Sequence, residues 1–528
     1  MATLGDRQAN WARLREARTR PDLLIVGGGI TGAGILREAA RLGLDAVLVE
    51  QADFAWGTSS RSSRMVHGGL RYILLGDIAL TRHSAIERER LIREAPGLVE
   101  RLRYLIPVRS GRQPGRLALA LLLWLYEALA GVRTRGWLDR RALAARVPGI
   151  REEGIPGAAF YTDAVTDDAR LTLRVLQQAC SEGARVLNYV QAVSLLRDAA
   201  GDVCGVTLQD RPSGERIAVE ARAVVNATGA WVDELRESVA RERTIRRLRG
   251  SHILLRPGLL PLADALTLFH PEDRRTTFIY PWEGHTVVGT TDLDHGIPLD
   301  EEPAITRHEL DYLLALAREM FPGERIGEED IVSSWAGVRP VISSDPRKDP
   351  SKETRDHRIW LDRRLLSVSG GKLTTFRLIA RDVLRRLSPL LGGLPLAADE
   401  APVFPPVPLL PADLPVGPAR ARRLLGRFGE EAAALLAAAS DGEHEELPGA
   451  GCSLAELRWS CRNEQVQHLD DLLLRRSPLG SLSPRGGEAH FGLIGALCRD
   501  ELGWSEARWT EELARYRGIW SQSRSLPA

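Results

Sequence analysis

DLLIVGGGITG, residues 22–32, is the stretch of sequence that decides the fold. A short apolar run with β-branched residues precedes the glycines, and a helical pattern continues from Gly32 to Leu42. Gly43 suits the position after a helix, and Ala46–Val49 is predicted to be a second buried strand. Strand, glycine turn, helix and strand make one βαβ unit. This unit predicts an α/β fold with a parallel sheet covered by helices.

The glycines of this turn have the G-x-G-x-x-G spacing of a dinucleotide site. Gly27 allows the tight turn, Gly29 lets backbone N–H groups reach a pyrophosphate, and Gly32 lets helix and strand pack closely. The helix N-terminus adds positive potential for that anion. Glu50 follows the second strand, where a carboxylate can accept hydrogen bonds from ribose hydroxyls. An acidic residue there argues against a 2′-phosphate, and therefore against NADP. A glycine-rich turn without a ligand is the alternative.

Two further segments favour FAD over NAD as that dinucleotide. Val224–Gly229 places a small-residue turn after a strand and resembles the second nucleotide-proximal loop of flavoproteins. Thr58–Ser63 supplies hydroxyl groups shortly after the acidic residue, suited to the pyrophosphate and flavin side. An ordinary serine-rich surface loop is the alternative for the second segment. The candidate cofactor contacts in the two segments are Ala227, Thr228, Gly229, Thr58, Ser59, Ser60 and Ser63.

Composition excludes several classes of protein. The chain has 528 residues, which predicts two or three domains, and it is 44% hydrophobic and 27% charged, which excludes a disordered or fibrous chain. Lys and Arg number 71 against 70 Asp and Glu, so no net positive charge indicates nucleic acid as a partner. The five cysteines are scattered and include no C-x-x-C pair, which favours a reducing compartment and predicts no metal site.

One apolar run raises the question of a membrane. Leu117–Tyr126 has ten residues, about half of the roughly 20 that a spanning helix needs, and arginines flank it on both sides. It is either a segment that lies in the headgroup region of an anionic membrane or a buried helix with exposed ends. Residues 1–21 lack the apolar core of a secretory signal.

Pattern changes along the chain predict four regions. A polar N-terminal segment covers residues 1–21, and a catalytic body with discontinuous subdomains covers 22–388. Nine of the 30 prolines fall between residues 389 and 418, which predicts a stiff linker. Residues 419–528 are predicted to form a helical domain. Within it, the sequence from Ser453 to Glu456 fits a capping box that opens a helix running to about Arg476.

The motifs after the glycine turn closely resemble those of the FAD-dependent glycerol-3-phosphate dehydrogenases. The resemblance covers residues 22–380 and continues more weakly in the helical domain. Its motifs, in chain order, are GTSSRSSRMVHGGLRY at 57–72, YTDAVTDDAR at 161–170, NATG at 226–229, GSH at 250–252, YPWEGHTVVGTTD at 280–292, WAGVRP at 335–340, TRD at 354–356 and GGKLTT at 370–375.

The resemblance implies a Rossmann-like FAD-binding domain joined to an antiparallel-sheet substrate domain. It also implies oxidation of sn-glycerol 3-phosphate to dihydroxyacetone phosphate, with electrons passed to a membrane quinone. An enzyme that reduces a lipid-soluble quinone must touch the bilayer. We therefore expect a cytoplasmic protein bound peripherally to the inner face of the membrane, with Leu117–Tyr126 as its anchor. The sequence leaves the oligomeric state open, a homodimer included.

Three other hypotheses compete with this one. The first is a glycerophosphate oxidase that passes electrons to oxygen and releases peroxide. The second is a flavin-binding module without turnover, and the third is a soluble NAD-linked dehydrogenase, which would be colourless when purified.

The resemblance also implies roles for particular residues. The implied substrate contacts are Arg71, Tyr72, Arg339, Arg355 and Lys372. Further implied cofactor contacts are Thr291, Asp292, Gly370 and Gly371. Arginine suits a phosphate because its planar fork donates two parallel hydrogen bonds. Lys372 is one of only three lysines among 71 basic residues, which indicates a position that requires a compact ammonium group.

Alcohol oxidation also needs a group that accepts the hydroxyl proton. We predict His67 for this role because the unperturbed pKa of histidine is near 6.5, and Arg339 as the donor that stabilises the developing alkoxide. The alternative for His67 is a histidine that only packs against the flavin. His252 and His285 are predicted to be structural. The Asp167–Asp168 pair is predicted to cap the helix that begins near Ala169.

Overall fold

The computed structural model describes residues 3–16, 20–74, 76–109, 115–240, 242–343, 356–396, 401–407 and 415–527. Within these ranges the chain forms two large sheets, one small sheet and a helical C-terminal region. The predicted fold class is confirmed, because a parallel sheet, a mainly antiparallel sheet and terminal helices are all present.

The parallel sheet contains the predicted βαβ unit. Strand Leu23–Val26 lies inside the sheet, fully buried, and pairs in parallel with Ala46–Val49 on one side and Ala223–Asn226 on the other. The edge pair is antiparallel. In spatial order the described strands are His357–Asp362, Leu365–Gly370, Ala223–Asn226, Leu23–Val26, Ala46–Val49 and Arg185–Leu187.

The glycine-turn helix Ile30–Arg41 is packed between the sheet and two other helices, Asp168–Ser181 and Phe376–Leu387. Gly34 makes close packing possible, because a Cβ there would lie 2.8 Å from the Phe376 ring. Apolar residues of all these elements form one buried core. The core fixes the helix N-terminus relative to the strand ends.

The large sheet forms the second half of the body. It is antiparallel except where Ala265–Phe269 runs parallel to Val99–Val108. Its described strands in spatial order are Leu293–Asp294, Ile245–Leu255, His285–Gly289, Thr276–Trp282, Ala265–Phe269, Val99–Val108, Gly157–Thr166 and Met65–Val66. Two more strands pair off this path, Ile331–Ile342 with Ile245–Leu255 and Gly136–Asp139 with Gly157–Thr166.

A small antiparallel sheet completes the strands of the described residues: Arg216–Glu220, Val203–Asp210 and Val190–Arg197. The described helices of the body, in chain order, are Arg7–Glu16, Ile30–Arg41, Leu70–Leu74, Ile78–Glu94, Arg116–Ala130, Arg140–Arg146, Asp168–Ser181, Val232–Arg236, Arg307–Met320 and Phe376–Leu387. Those of the C-terminal region are Pro418–Phe428, Ala432–Ala437, Leu454–Asn463, Leu469–Asp471, Leu479–Leu482, Phe491–Leu502 and Glu506–Ser523, with a π-helix at Leu472–Arg476.

Two predicted helix caps are confirmed, and one helix is shorter than predicted. Asp167 caps Asp168–Ser181 by accepting a hydrogen bond from the Arg170 N–H group. Ser453 opens its helix with the predicted capping box. That helix ends at Asn463 rather than near Arg476, because Gln465 adopts a left-handed φ of 51° that breaks the helix.

The predicted terminal segment and linker pack against the body where they are described. Helix Arg7–Glu16 lies against the parallel sheet, and the Arg7 guanidinium donates to the Asn188 carbonyl at 2.9 Å. In the predicted linker, Val403 and Phe404 are buried in the same core as the glycine-turn helix. The predicted domain limits stay predictions.

Candidate active site

Two adjoining cavities lie at the carboxyl ends of the parallel strands, where ligands bind in open α/β sheets. The first has a volume of about 350 Å³ and lies in front of the glycine turn. The second has a volume of about 880 Å³ and is bounded largely by the large sheet. The wall that both cavities share consists of Thr58, Ser62, Pro340, Gly370, Gly371, Lys372 and Leu373.

The backbone conformation and close contacts of the turn require glycine at the predicted positions. Gly27 has a φ of +116°, and a Cβ there would lie 2.5 Å from the Ala227 carbonyl oxygen. Gly27 and Gly29 line the first cavity. Gly32 lies behind it, where a Cβ would be 1.9 Å from the Gly27 oxygen, so its role is the close packing of helix on strand.

Glu50 lies on the wall of the first cavity, at the end of its strand. One carboxylate oxygen accepts a hydrogen bond from the Gly28 N–H group at 2.7 Å, and the other accepts one from Ala52 at 2.9 Å. Burial raises the pKa of Glu50, and the two N–H donors oppose that rise. The carboxylate therefore anchors the glycine turn and also lines the cavity.

The hydroxyl run 58–63 divides between the two cavities. Thr58 lines both, and Ser59 lines the first, where its hydroxyl oxygen accepts a hydrogen bond from the N–H group of Ile30 at 2.9 Å. Ser63 lines the second cavity, and Ser60 is buried outside both walls. The predicted loop residues Ala227, Thr228 and Gly229 line the first cavity.

Positive charge lines one side of the second cavity. The Lys372 ammonium donates to the Ser84 hydroxyl at 3.0 Å. Arg339 donates to Asp292 at 3.1 Å and to the Thr290 hydroxyl at 2.8 Å. Arg275 lies 3.0 Å from the other Asp292 oxygen, so one carboxylate orients two guanidinium groups at this wall.

Other predicted site residues lie elsewhere. Arg355 falls outside the described residues, as does the side chain of Arg71, whose backbone is the second residue of helix Leu70–Leu74. Thr291 is buried behind the wall, where its hydroxyl donates to Glu309 at 2.7 Å.

The sequence interpretation did not include three arginines that line the second cavity. They are Arg61, Arg274 and Arg275. In an arginine-rich chain, residue type alone gave no signal to find them.

His67 lines the second cavity on the wall that also carries Lys372. Burial, together with the Lys372 charge, lowers the pKa of the imidazole to about 4. His67 is therefore neutral near pH 7, the state that can accept a proton. His252 stacks on Trp335 with ring centres 4.9 Å apart, and its ring nitrogen lies 2.9 Å from the Ser63 hydroxyl.

A buried polar network supports the turn after His67. The Gly68 N–H group donates to the Tyr126 hydroxyl oxygen at 2.9 Å, and that hydroxyl donates to Asp163 at 2.5 Å. Arg88 donates to the Tyr126 oxygen at 3.0 Å and also to Asp163. Because Tyr126 belongs to helix Arg116–Ala130, the network ties that helix to the histidine turn.

The same helix forms part of an apolar wall. Leu119 and Leu122 line the second cavity. On its outer face, Leu117 is 87% exposed, Leu121 67% and Trp124 53%. One face of the helix is thus buried, as the buried-helix interpretation predicts, and the other presents apolar side chains outward. Contact of that face with a membrane stays a prediction.

The described residues include neither a membrane-spanning helix nor a metal site. No helix among them is long and apolar enough to cross a membrane. No group of three or more His, Cys, Asp or Glu side chains in the described ranges could hold a metal ion.

Comparison with known proteins defines the family. A family model described as FAD dependent oxidoreductase matches residues 22–383, and one described as C-terminal domain of alpha-glycerophosphate oxidase matches residues 396–509. The aerobic glycerol-3-phosphate dehydrogenase of Staphylococcus aureus is 33% identical over a 482-residue alignment that covers 86% of this chain and 86% of its own.

Two solved structures are also similar. The glycerol-3-phosphate dehydrogenase of Bacillus halodurans, complexed with FAD, has a TM-score of 0.74 and 27% identity, over 99% of this chain and 98% of its own. An L-alpha-glycerophosphate oxidase of Mycoplasma pneumoniae with FAD bound shares the fold. Its TM-score is 0.57 and its identity 18%, over 74% of this chain and 99% of its own.

The chain therefore belongs to the FAD-dependent oxidoreductases, an enzyme class whose cofactor is FAD. Within that class it belongs to the family of the aerobic glycerol-3-phosphate dehydrogenases. The predicted family and cofactor are thus confirmed. The residues at the site fit the cofactor, because the glycine turn leaves space that a Cβ would fill and the two cavities share one wall.

Proposed function

We propose that this enzyme oxidises glycerol 3-phosphate to dihydroxyacetone phosphate and passes the electrons to a membrane quinone. The observation that carries the substrate assignment is the placement of Lys372, Arg339 and His67 on one cavity. Lys372 and Arg339 are cations suited to the oxygens of a phosphate ester and of a developing alkoxide, and His67 is a neutral imidazole suited to a hydroxyl group. The relative from Staphylococcus aureus is named for the same substrate.

The dinucleotide portion of FAD would be held at the first cavity by the glycine turn, Glu50 and the 227–229 loop. The shared wall at Gly370–Gly371 would place the flavin ring next to the substrate side chains. When bound there, FAD supplies the two-electron oxidant for the carbon–hydrogen bond of the substrate alcohol. The remaining hydrogen of the alcohol leaves as a proton.

Side chains of the second cavity bind the phosphate, stabilise the developing alkoxide and accept the hydroxyl proton. Lys372 binds the phosphate, and Arg339, oriented by Asp292, donates a hydrogen bond to the oxygen as negative charge develops on it. His67 accepts the hydroxyl proton on a ring nitrogen. A bound phosphate dianion raises the pKa of the nearby imidazole above that of the free enzyme, which makes it a stronger base once substrate is present.

The apolar wall supports quinone as the electron acceptor. Leu119 and Leu122 line the cavity, while Leu117, Leu121 and Trp124 of the same helix are exposed. An exposed apolar face flanked by arginines is suited to the headgroup region of a membrane, from which a quinone would enter. This supports a peripheral position at the inner face of the membrane.

The second candidate is an oxidase that uses oxygen, which the match of residues 396–509 to a glycerophosphate oxidase domain favours. Anaerobic titration of the flavin absorbance with a panel of phosphorylated alcohols tests the substrate. Bleaching by glycerol 3-phosphate at the lowest concentration is expected, and bleaching by another alcohol first would contradict the proposal. Turnover with a quinone analogue, compared with peroxide release in air, then distinguishes the acceptors.

A further inference from the structure

The turn from Glu50 to Ala55 is bonded to the glycine turn from both sides. Glu50 accepts a hydrogen bond from the Gly28 N–H group at 2.7 Å, and the Gly28 carbonyl accepts one from the Ala55 N–H group at 3.0 Å. A Cβ on Gly28 would lie 2.8 Å from the Glu50 Cβ, so the two turns are in direct contact. Any displacement of one turn therefore displaces the other.

Asp53, in the middle of this turn, faces the C-terminal region rather than the cavity. Its carboxylate is fully buried and accepts hydrogen bonds from Arg476 at 2.5 and 2.7 Å and from the Asn188 amide at 3.0 Å. The Arg475 guanidinium donates to the same carboxylate. Two arginines from the far end of the chain thus fix one aspartate beneath the dinucleotide site.

The arginines are themselves held rigidly. Arg475 donates to Asp470 at 2.7 Å and to Asp471 at 2.6 Å. Arg476 donates to the backbone oxygen of Glu464 at 3.1 and 2.7 Å. They lie on the π-helical stretch Leu472–Arg476, a local form that occurs frequently at functional sites.

Stability alone does not favour a buried ion-pair network such as that of Asp53, Arg475 and Arg476. Buried ion pairs cost desolvation free energy, and replacing them with apolar side chains is often neutral or stabilising. A bidentate guanidinium, however, fixes the direction as well as the distance of a carboxylate. The network is therefore suited to holding the turn in one orientation.

We propose that Arg475 and Arg476 are positioning residues for the cofactor. By fixing Asp53, they hold the Glu50–Ala55 turn, and through Glu50 the glycine turn, in the arrangement that retains FAD. The C-terminal region thus governs the lifetime of the flavin complex without touching the cavity. The inference rests on the proposed placement of FAD against the glycine turn.

The test compares two variants of the holoenzyme, Arg476→Met and Arg427→Met. Arg427 is a matched control, because it is also a buried arginine of the C-terminal region and donates at 2.9 Å to a buried aspartate of the body, Asp167. FAD release is followed by the recovery of flavin fluorescence after dilution. Arg476→Met is expected to release FAD at least tenfold faster than the wild type. The release rate of Arg427→Met is expected to stay within about twofold of the wild-type rate.

A second readout reports on the turn itself. Hydrogen exchange of the Gly28 and Ala52 amides, which donate to Glu50, is expected to accelerate in Arg476→Met and not in Arg427→Met. Equal release rates and equal exchange in the two variants would overturn the proposal. If Arg476→Met does not fold, Arg476→Lys and Arg427→Lys replace the pair. Each substitution keeps the positive charge and removes the planar guanidinium that donates two parallel hydrogen bonds. Only Arg476→Lys is then expected to release FAD faster, by threefold or more.

A third variant separates this inference from the placement of FAD. Gly29 has an extended backbone at the N-cap of its helix, which suits aspartate. A Cβ there would lie 3.1 Å from the Ser59 hydroxyl, so that side chain must shift by a few tenths of an ångström. Gly29→Asp brings a negative charge to the pyrophosphate position. If Gly29→Asp retains FAD like the wild type, the placement of FAD is wrong and the inference fails with it. If Gly29→Asp loses FAD while Arg476→Met behaves like Arg427→Met, only the inference fails.

Discussion

The ammonium nitrogen of Lys372 lies 3.7 Å from the centre of the Tyr72 ring. A cation over an aromatic face is attracted by the ring quadrupole, so Tyr72 helps to fix the ammonium at the cavity wall. Gly69 makes this contact possible, because a Cβ there would lie 2.1 Å from the Tyr72 ring and 2.9 Å from the Lys372 nitrogen. The histidine–glycine motif and the Gly-Gly-Lys motif, about 300 residues apart in the chain, thus form one wall.

Removing the Lys372 charge should weaken substrate binding. Hydrogen bonds to charged groups contribute about 1.5–3 kcal/mol, so we expect Lys372→Ala to raise KM for glycerol 3-phosphate roughly tenfold or more. FAD content, measured from the flavin absorbance, should be unchanged. Lys372→Arg, which keeps the charge with a wider group, should recover only part of the loss. An unaltered KM in Lys372→Ala would remove this residue from the substrate site.

The low pKa of His67 predicts how the reaction depends on pH. Only the neutral imidazole accepts a proton. Once kcat/KM of the wild type is corrected for the phosphate of the substrate, whose second pKa is about 6, it should be constant near neutrality and fall as the pH drops through about 4. His67→Asn should have a much lower kcat and lack this acidic limb. Flavin reduction after a rapid pH jump measures the profile before acid unfolds the protein. A limb that persists in His67→Asn would assign the base to another group.

The exposed face of helix Arg116–Ala130 predicts membrane binding. A variant with Leu117→Ser, Leu121→Ser and Trp124→Ser should lose sedimentation with vesicles of anionic phospholipid and keep its turnover with a soluble electron acceptor. The matched control replaces three exposed apolar residues elsewhere with serine: Ile297, Val407 and Leu493. If both variants bind vesicles as the wild type does, the helix is not the anchor.

Replacing the buried Arg524 with an apolar residue should stabilise the folded protein. It is 2% exposed, its Nη1 nitrogen is buried without a hydrogen-bond partner among the described residues, and burial with the charges of Arg61 and Arg64 lowers its pKa to about 9. Arg524→Met removes that buried charge and keeps most of the side-chain volume, so the free energy of unfolding should rise by about 1 kcal/mol or more. Chemical denaturation of the holoenzyme measures it, and a decrease would show that the charge has a partner.

Local patterns were enough to predict the dinucleotide half of the site. Strand Leu23–Val26, the glycine turn and Glu50 lie within 30 residues, where periodicity and glycine spacing report directly on structure. The helix break at Gln465 was not predictable in this way. Capping and periodicity favoured one continuous helix, whereas the observed interruption places Glu464 against Arg170, at 2.5 and 2.9 Å, in an ion pair between distant segments.

The sequence by itself determined the βαβ unit, the glycines that shape its turn, and the motifs that identify the family, because each is encoded in adjacent residues. Tertiary structure alone decided that Leu119 and Leu122, rather than Leu117 and Leu121, face the cavity, since a helix that is apolar all round has no periodicity to mark its inner side. It also decided that Asp53 meets Arg476, 423 residues later. Charge pairing over that separation depends on how the whole chain packs, and no local pattern records it.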